Sequence, residues 1–86
     1  MIIELKVEVQ WRGDGREKGF VIPRGTRINT IEWDYLPDDT KEKMRGVRSE
    51  EHFRTKVFII YYRGQFLTVN REDAHVPTTE KGWMNF

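Results

Sequence analysis

The chain contains no cysteine, which excludes disulfides, thiolate nucleophiles and cysteine metal ligands from all 86 residues. Serine is almost as scarce. The one serine, Ser49, lies in a polar stretch, so no serine–histidine–acid set can be argued. Long apolar runs are missing. The longest, Val57 to Tyr62, has strand length and falls far short of the ~20 residues of a membrane-spanning helix. The start Met1-Ile2-Ile3-Glu4-Leu5-Lys6 alternates instead of joining a basic region to an apolar run. No signal peptide and no membrane partner are expected, and the expected location is cytoplasmic. Charge of one sign is not in excess either. Charged residues make up 34% of the chain, yet the formal net charge is +1, so a dedicated duplex-DNA binder is disfavoured.

Chemistry-bearing arrangements are also lacking. His52 and His75 match no metal-ligand spacing, and exposed loop positions are the simpler expectation. Asp38 and Asp39 could pair as carboxylates, but their place after Pro37 fits helix capping better. Gly13-Asp14-Gly15 does not have the strand-to-helix setting of a phosphate loop. The expectation is a non-enzymatic protein with no metal and no cofactor.

What is present is strand patterning. Ile3, Leu5, Val7, Val9 and Trp11 alternate with Glu4, Lys6, Glu8 and Gln10, which predicts a half-buried strand with a polar outer face. Arg12-Gly13-Asp14-Gly15 supplies turn chemistry, and Gly19 to Pro23 predicts a second strand closing a hairpin. Pro23-Arg24-Gly25-Thr26 stops that strand. Beyond it, Asn29 or Thr30 could cap a helix, with Ile28, Ile31, Tyr35 and Leu36 near one stripe. A rival reading makes Thr26 to Tyr35 a strand, because Ile31, Trp33 and Tyr35 also alternate. Pro37 ends either element, and a short helical piece from Thr40 to Arg45 would end at Gly46. Gly46 to Lys56 reads as a polar connection. Asn70 to Ala74 reads as a turn or single helical turn, Val76 to Gly82 as a loop, and Trp83 to Phe86 as a last short strand. One domain covers residues 1–86, with an extra connecting segment at about 37–54.

The strongest local signal is Val57-Phe58-Ile59-Ile60-Tyr61-Tyr62, then Arg63-Gly64, then Gln65-Phe66-Leu67-Thr68-Val69. It predicts a hairpin with a two-residue turn, in which Tyr61 faces Phe66, Ile60 faces Leu67 and Phe58 faces Val69. Phe58, Ile60, Tyr62, Leu67 and Val69 then share one face, while Val57, Ile59, Tyr61, Phe66 and Thr68 share the other. Both faces are rich in apolar groups. The predicted core comprises Ile3 or Leu5, Val7, Val9, Phe20 or Ile22, Ile28, Ile31, Tyr35, Phe58, Ile60, Leu67 and Val69.

The order of elements, with Phe20-Val21-Ile22-Pro23-Arg24-Gly25-Thr26-Arg27-Ile28, Tyr62-Arg63-Gly64-Gln65-Phe66-Leu67, Arg71-Glu72-Asp73 and Thr79-Glu80-Lys81-Gly82, resembles the ubiquitin-like β-grasp family of thiamine-type and molybdopterin-type sulfur carriers. The resemblance implies an α+β fold, a mixed four- to five-stranded sheet packed on one main helix. Carriers of that family end in Gly-Gly, whose carboxylate an adenylating activating enzyme converts to a thiocarboxylate. This sequence ends Gly82-Trp83-Met84-Asn85-Phe86. The expectation is therefore a relative that works by docking its open sheet face on a protein partner, as the resemblance implies for that face. Ile59, Tyr61, Phe66 and Arg63 are the candidate partner-binding residues. Two other fates for that face are a fold-over by the segment from Pro37 to Arg54 and a homodimer contact. Alternatives to the whole reading are a true carrier activated at a C-terminus not seen here, or a small β-barrel of the SH3 or OB type binding single-stranded nucleic acid. In the latter, Trp11, Trp33, Tyr61, Tyr62 and Phe66 would stack bases and Arg12, Arg16, Arg24 and Arg63 would hold phosphates.

Overall fold

The structure, a computed structural model, describes residues 1–13 and 18–77. It is a small α+β fold. The order is β1 (Ile2–Leu5), β2 (Val9–Trp11), β3 (Phe20–Ile22), β4 (Arg27–Asn29), a 3₁₀ turn (Trp33–Tyr35), α1 (Asp38–Arg45), α2 (Glu50–Thr55), β5 (Val57–Tyr62), β6 (Gln65–Asn70), a second 3₁₀ turn (Arg71–Asp73) and β7 (Ala74–His75). Every strand pairing among the described residues is antiparallel.

The first hairpin forms as the alternation predicts, but it is bent. β2 pairs β3 with Val9 opposite Ile22 and Trp11 opposite Phe20, whereas β1 pairs β4 with Ile3 opposite Ile28. The break has a cause on each side. Pro23 offers no N–H to a ladder, and Gly25 takes φ 87°, which glycine reaches without a steric penalty. Leu5 N–H donates to Thr26 O (3.0 Å) while its carbonyl accepts from Gly25 N–H (2.9 Å). Lys6 N–H then turns away to Asp73 O (2.8 Å). The single predicted strand from Ile3 to Trp11 is thus two, and Val7 at the bend is 43% exposed instead of buried. At the far end of the hairpin the chains lie very close. A Cβ added at Gly19 would sit 2.3 Å from Trp11 O.

The helix expected to follow Asn29 or Thr30 is absent. Residues Arg27–Asn29 are strand, and Thr30 bridges to Ile60 while its N–H donates to Met1 O (2.8 Å). The rival strand reading is right for its first part only. Glu32 to Tyr35 then close a single 3₁₀ turn, which buries Trp33 and leaves Tyr35 79% exposed. The helical content lies further on. α1 ends at Gly46 as predicted, and α2 occupies part of the stretch read as a connection, with the Ser49 hydroxyl accepting the His52 N–H at its start (3.3 Å). The expected last strand, Trp83 to Phe86, and the loop from Thr78 lie outside the described residues.

The β5–β6 hairpin has the predicted register, with Tyr61 opposite Phe66, Ile60 opposite Leu67 and Phe58 opposite Val69. Arg63 (φ 49°) and Gly64 (φ 80°) are both left-handed, as a two-residue turn of the primed kind requires. Each face anchors its own core cluster. Phe58, Ile60, Leu67 and Val69 pack with Ile3, Leu5, Ile22 and Ala74, with Val9, Phe20 and Ile28 half-buried against them. Val57 and Ile59 pack with Trp33, Leu36 and Phe53, with Ile31, Met44 and Phe66 beside them. β7 returns after the second 3₁₀ turn to pair with β1, Leu5 opposite Ala74.

Trp33 and Tyr35 separate the observed turn from the expected helix. Trp33→Ala should cost about 3–5 kcal/mol in urea unfolding. Tyr35→Ala should stay within about 0.5 kcal/mol of wild type. Similar losses at both positions would contradict the 3₁₀ turn.

Candidate functional site

The four candidate residues do not form one surface. Ile59 is 2% exposed and lies beneath Trp33 and Phe53, whose rings stack at 5.4 Å with planes 19° apart. The segment that follows Thr30 therefore covers much of the hairpin face that was expected to be open. Arg63 projects to the other side of the hairpin, its guanidinium 5.7 Å from the ring centres of both Phe20 and Tyr62. Only Tyr61 and Phe66 remain together. Their rings pack at 4.7 Å, with Tyr61 51% exposed and Phe66 half-buried.

The cover stops short of the edge of β6, and an apolar groove is left there. Trp11 lines one side of it, Met44 and Val47 line the other, and Phe66, Leu67 and Thr68 form the floor with Phe53 behind. Val47 is 66% exposed. Lys43 stands at the rim. A second depression, lined by Trp11, Lys18, Gly19, Phe20, Arg63 and Gln65, continues past Trp11 toward the hairpin turn. Sequence reasoning missed Met44, Val47 and Trp11 as lining groups. A faint signal existed in the spacing of Met44 and Val47, which repeats an apolar group three residues on at the end of a polar helix. Trp11 is expected at the end of the alternating first strand and, in the nucleic-acid alternative, as a stacking group; it packs against the core, stacked on Phe20 at 5.2 Å.

Polar chemistry is engaged elsewhere. Ser49 is a helix cap. His75 Nε2 lies 3.6 Å from Glu4 Oε2, and Glu4 also accepts from Arg27 Nε at 2.9 Å. No cluster of three or more histidine or acidic side chains suited to a metal ion occurs among the described residues. The main electrostatic feature is Arg54, which ties the 3₁₀ turn to α2. Its guanidinium reaches Asp34 Oδ1 at 2.8 Å and Glu50 Oε2 at 3.0 Å, and its backbone carbonyl accepts from Arg71 Nη2 at 2.9 Å. The hydrogen bond and the charge of Arg54 hold Asp34 below its usual carboxylate range. Glu50 is lowered by its hydrogen bond to Arg54 first, and then by Arg45.

Carboxylates lowered in the folded state contribute stability that is present above their unfolded pKa and lost as pH falls through the folded value. The melting-temperature advantage of wild type over Arg54→Gln should therefore be full near pH 6 and shrink below about pH 4. It should also shrink with added salt, because these charges are exposed. Thermal melts across that range check it, and a pH-independent gap would show that the pairs contribute nothing through charge.

No family model, no curated protein and no solved structure matches this chain, so the geometry of the groove and its neighbours is what a functional reading has to work from.

Proposed function

We propose that this chain is a small non-enzymatic protein-interaction domain. Its docking surface is the apolar strip of Tyr61, Phe66, Met44, Val47 and Trp11. The observation that carries this reading is an apolar groove lined by exposed Val47 and by Phe66, with the exposed Tyr61 ring packed on Phe66 at 4.7 Å. Water-exposed apolar groups gathered in one place favour association, and aromatic anchors in a concave setting concentrate binding energy. The sheet-face idea survives in reduced form. Ile59 is buried and Arg63 belongs to the opposite side, so the strip lies at the hairpin's edge instead of across its whole face.

For the fold, the described pairings support a small barrel of the SH3 type over a β-grasp. A β-grasp needs a helix crossing the sheet after the first hairpin, and a strand follows there instead. The barrel reading is supported by the bent first hairpin, the second hairpin bridged to it at Thr30 and Ile60, and the return of β7 to β1. A sulfur-carrier role draws no support from this arrangement. Stacking on nucleic acid is the weaker use of the aromatics. Trp11 stacks on Phe20, Phe20 packs on Tyr62 at 5.3 Å, and Arg63 sits over two of these rings, so their faces are occupied by one another.

Wild type, Val47→Asp and Tyr61→Ala, used as baits in a lysate of the source organism, test the reading. Quantitative mass spectrometry should show at least one protein captured by wild type and depleted about fivefold or more from both variants. Melting temperatures of the variants should stay within about 3 °C of wild type, since both positions are exposed. Equal capture by all three baits would sink the proposal.

A further inference from the structure

The edge of β6 carries a more specific inference, which rests on the interaction reading above. In a two-residue hairpin the residues flanking the turn, here Tyr62 and Gln65, exchange the ladder hydrogen bonds, and bonded pairs then alternate. Leu67 and Val69 thus point their N–H and C=O groups inward to β5, while Phe66 and Thr68 point theirs outward. The opposite edge of the hairpin follows the same phase. Ile59, facing Thr68, uses its outward carbonyl to accept the Ile31 N–H at 2.8 Å. The edge of β5 is therefore covered at Ile59, while among the described residues no strand pairs with the outer edge of β6. None of the hydrogen bonds among the described residues reaches the outward backbone groups of Phe66 or Thr68. This open edge runs along the floor of the apolar groove.

We propose that the edge of β6 binds an extended acidic peptide segment of a partner protein, which adds to the hairpin as a further strand. Its backbone would satisfy the outward groups of Phe66 and Thr68. Successive side chains of an extended strand point to opposite faces, so alternate residues would meet Trp11 on one side and Met44 with Val47 on the other. Charge chooses the occupant. The described residues lining the groove and its continuation include Lys43, Lys18 and Arg63 and no carboxylate. A second copy of the same edge would set these cations against one another, and a basic peptide would be repelled. Lysines flanking the groove attract a strand that carries carboxylates over a neutral one.

A random decapeptide display library selected against the full chain tests this. Enriched peptides should alternate apolar residues with aspartate or glutamate and lack proline within the bound stretch. With the best synthetic peptide, hydrogen exchange at the Phe66 and Thr68 amides should slow about tenfold or more. N-methylation of the peptide amides that face β6 should weaken binding at least about tenfold, as should Lys43→Glu. No enrichment, enrichment of basic or proline-rich peptides, or binding indifferent to N-methylation would overturn the proposal. So would protection of the same two amides by self-association without peptide, or by decathymidylate while no acidic peptide binds. A selected peptide lost on Val47→Asp yet indifferent to N-methylation would remove the added strand and leave the interaction reading standing. Failure of both experiments would remove both.

Discussion

The structure depends on one constraint: the β5–β6 hairpin is apolar on both faces, and neither face can be left to water. Val57, Ile59 and Ile60 are all at most 3% exposed, though successive side chains of a strand point opposite ways. One layer of protein cannot bury both sets. The first hairpin and β7 cover the face of Ile60 and Leu67, and the Trp33 turn with α2 covers the face of Ile59. The two core clusters are the two sides of one strand pair. A chain this short reaches a stable core by sharing a single hairpin between them.

That constraint also explains where the second cover ends. α1 and α2 are short and polar, and the cover offers few large apolar groups beyond Trp33, Leu36 and Phe53. Arg54 clamps its near side by binding Asp34 and Glu50 at once. On the far side Arg45 makes only a longer pair with Glu50, at 3.4 Å, and Met44 and Val47 approach Phe66 without closing over it. The groove is the region the cover does not reach.

The hairpins, their turn and the split of apolar groups between two faces were legible in the sequence, because period-two alternation and a glycine after Arg63 are local signals. The helix between Thr30 and Leu36 was misread for a physical reason. Ile28, Ile31, Tyr35 and Leu36 suit helical spacing, but Arg27–Asn29 gain ladder bonds to β1, and Thr30 and Ile31 gain bonds to the chain start and to β5. Those long-range bonds outweigh local periodicity. Tyr35 is left outside, and Trp33, read within the rival strand and as a possible base-stacking group, joins the second cluster. α2 was missed because its sequence is polar but for Phe53, and its capping serine was weighed as a nucleophile instead. Of the candidate site, Tyr61 and Phe66 were readable from register. Ile59 and Arg63 were not separable from them, because register alone does not reveal which face receives a cover.

The contact at Gly19 bears on all of this from an unexpected direction. Its missing side chain lets two strands touch where Trp11 leaves the hairpin, at the meeting of the two depressions beside β6. Any larger residue there would wedge the backbones apart and tilt the indole that divides those depressions. The spacing of the two depressions is thus set by an atom the protein does without.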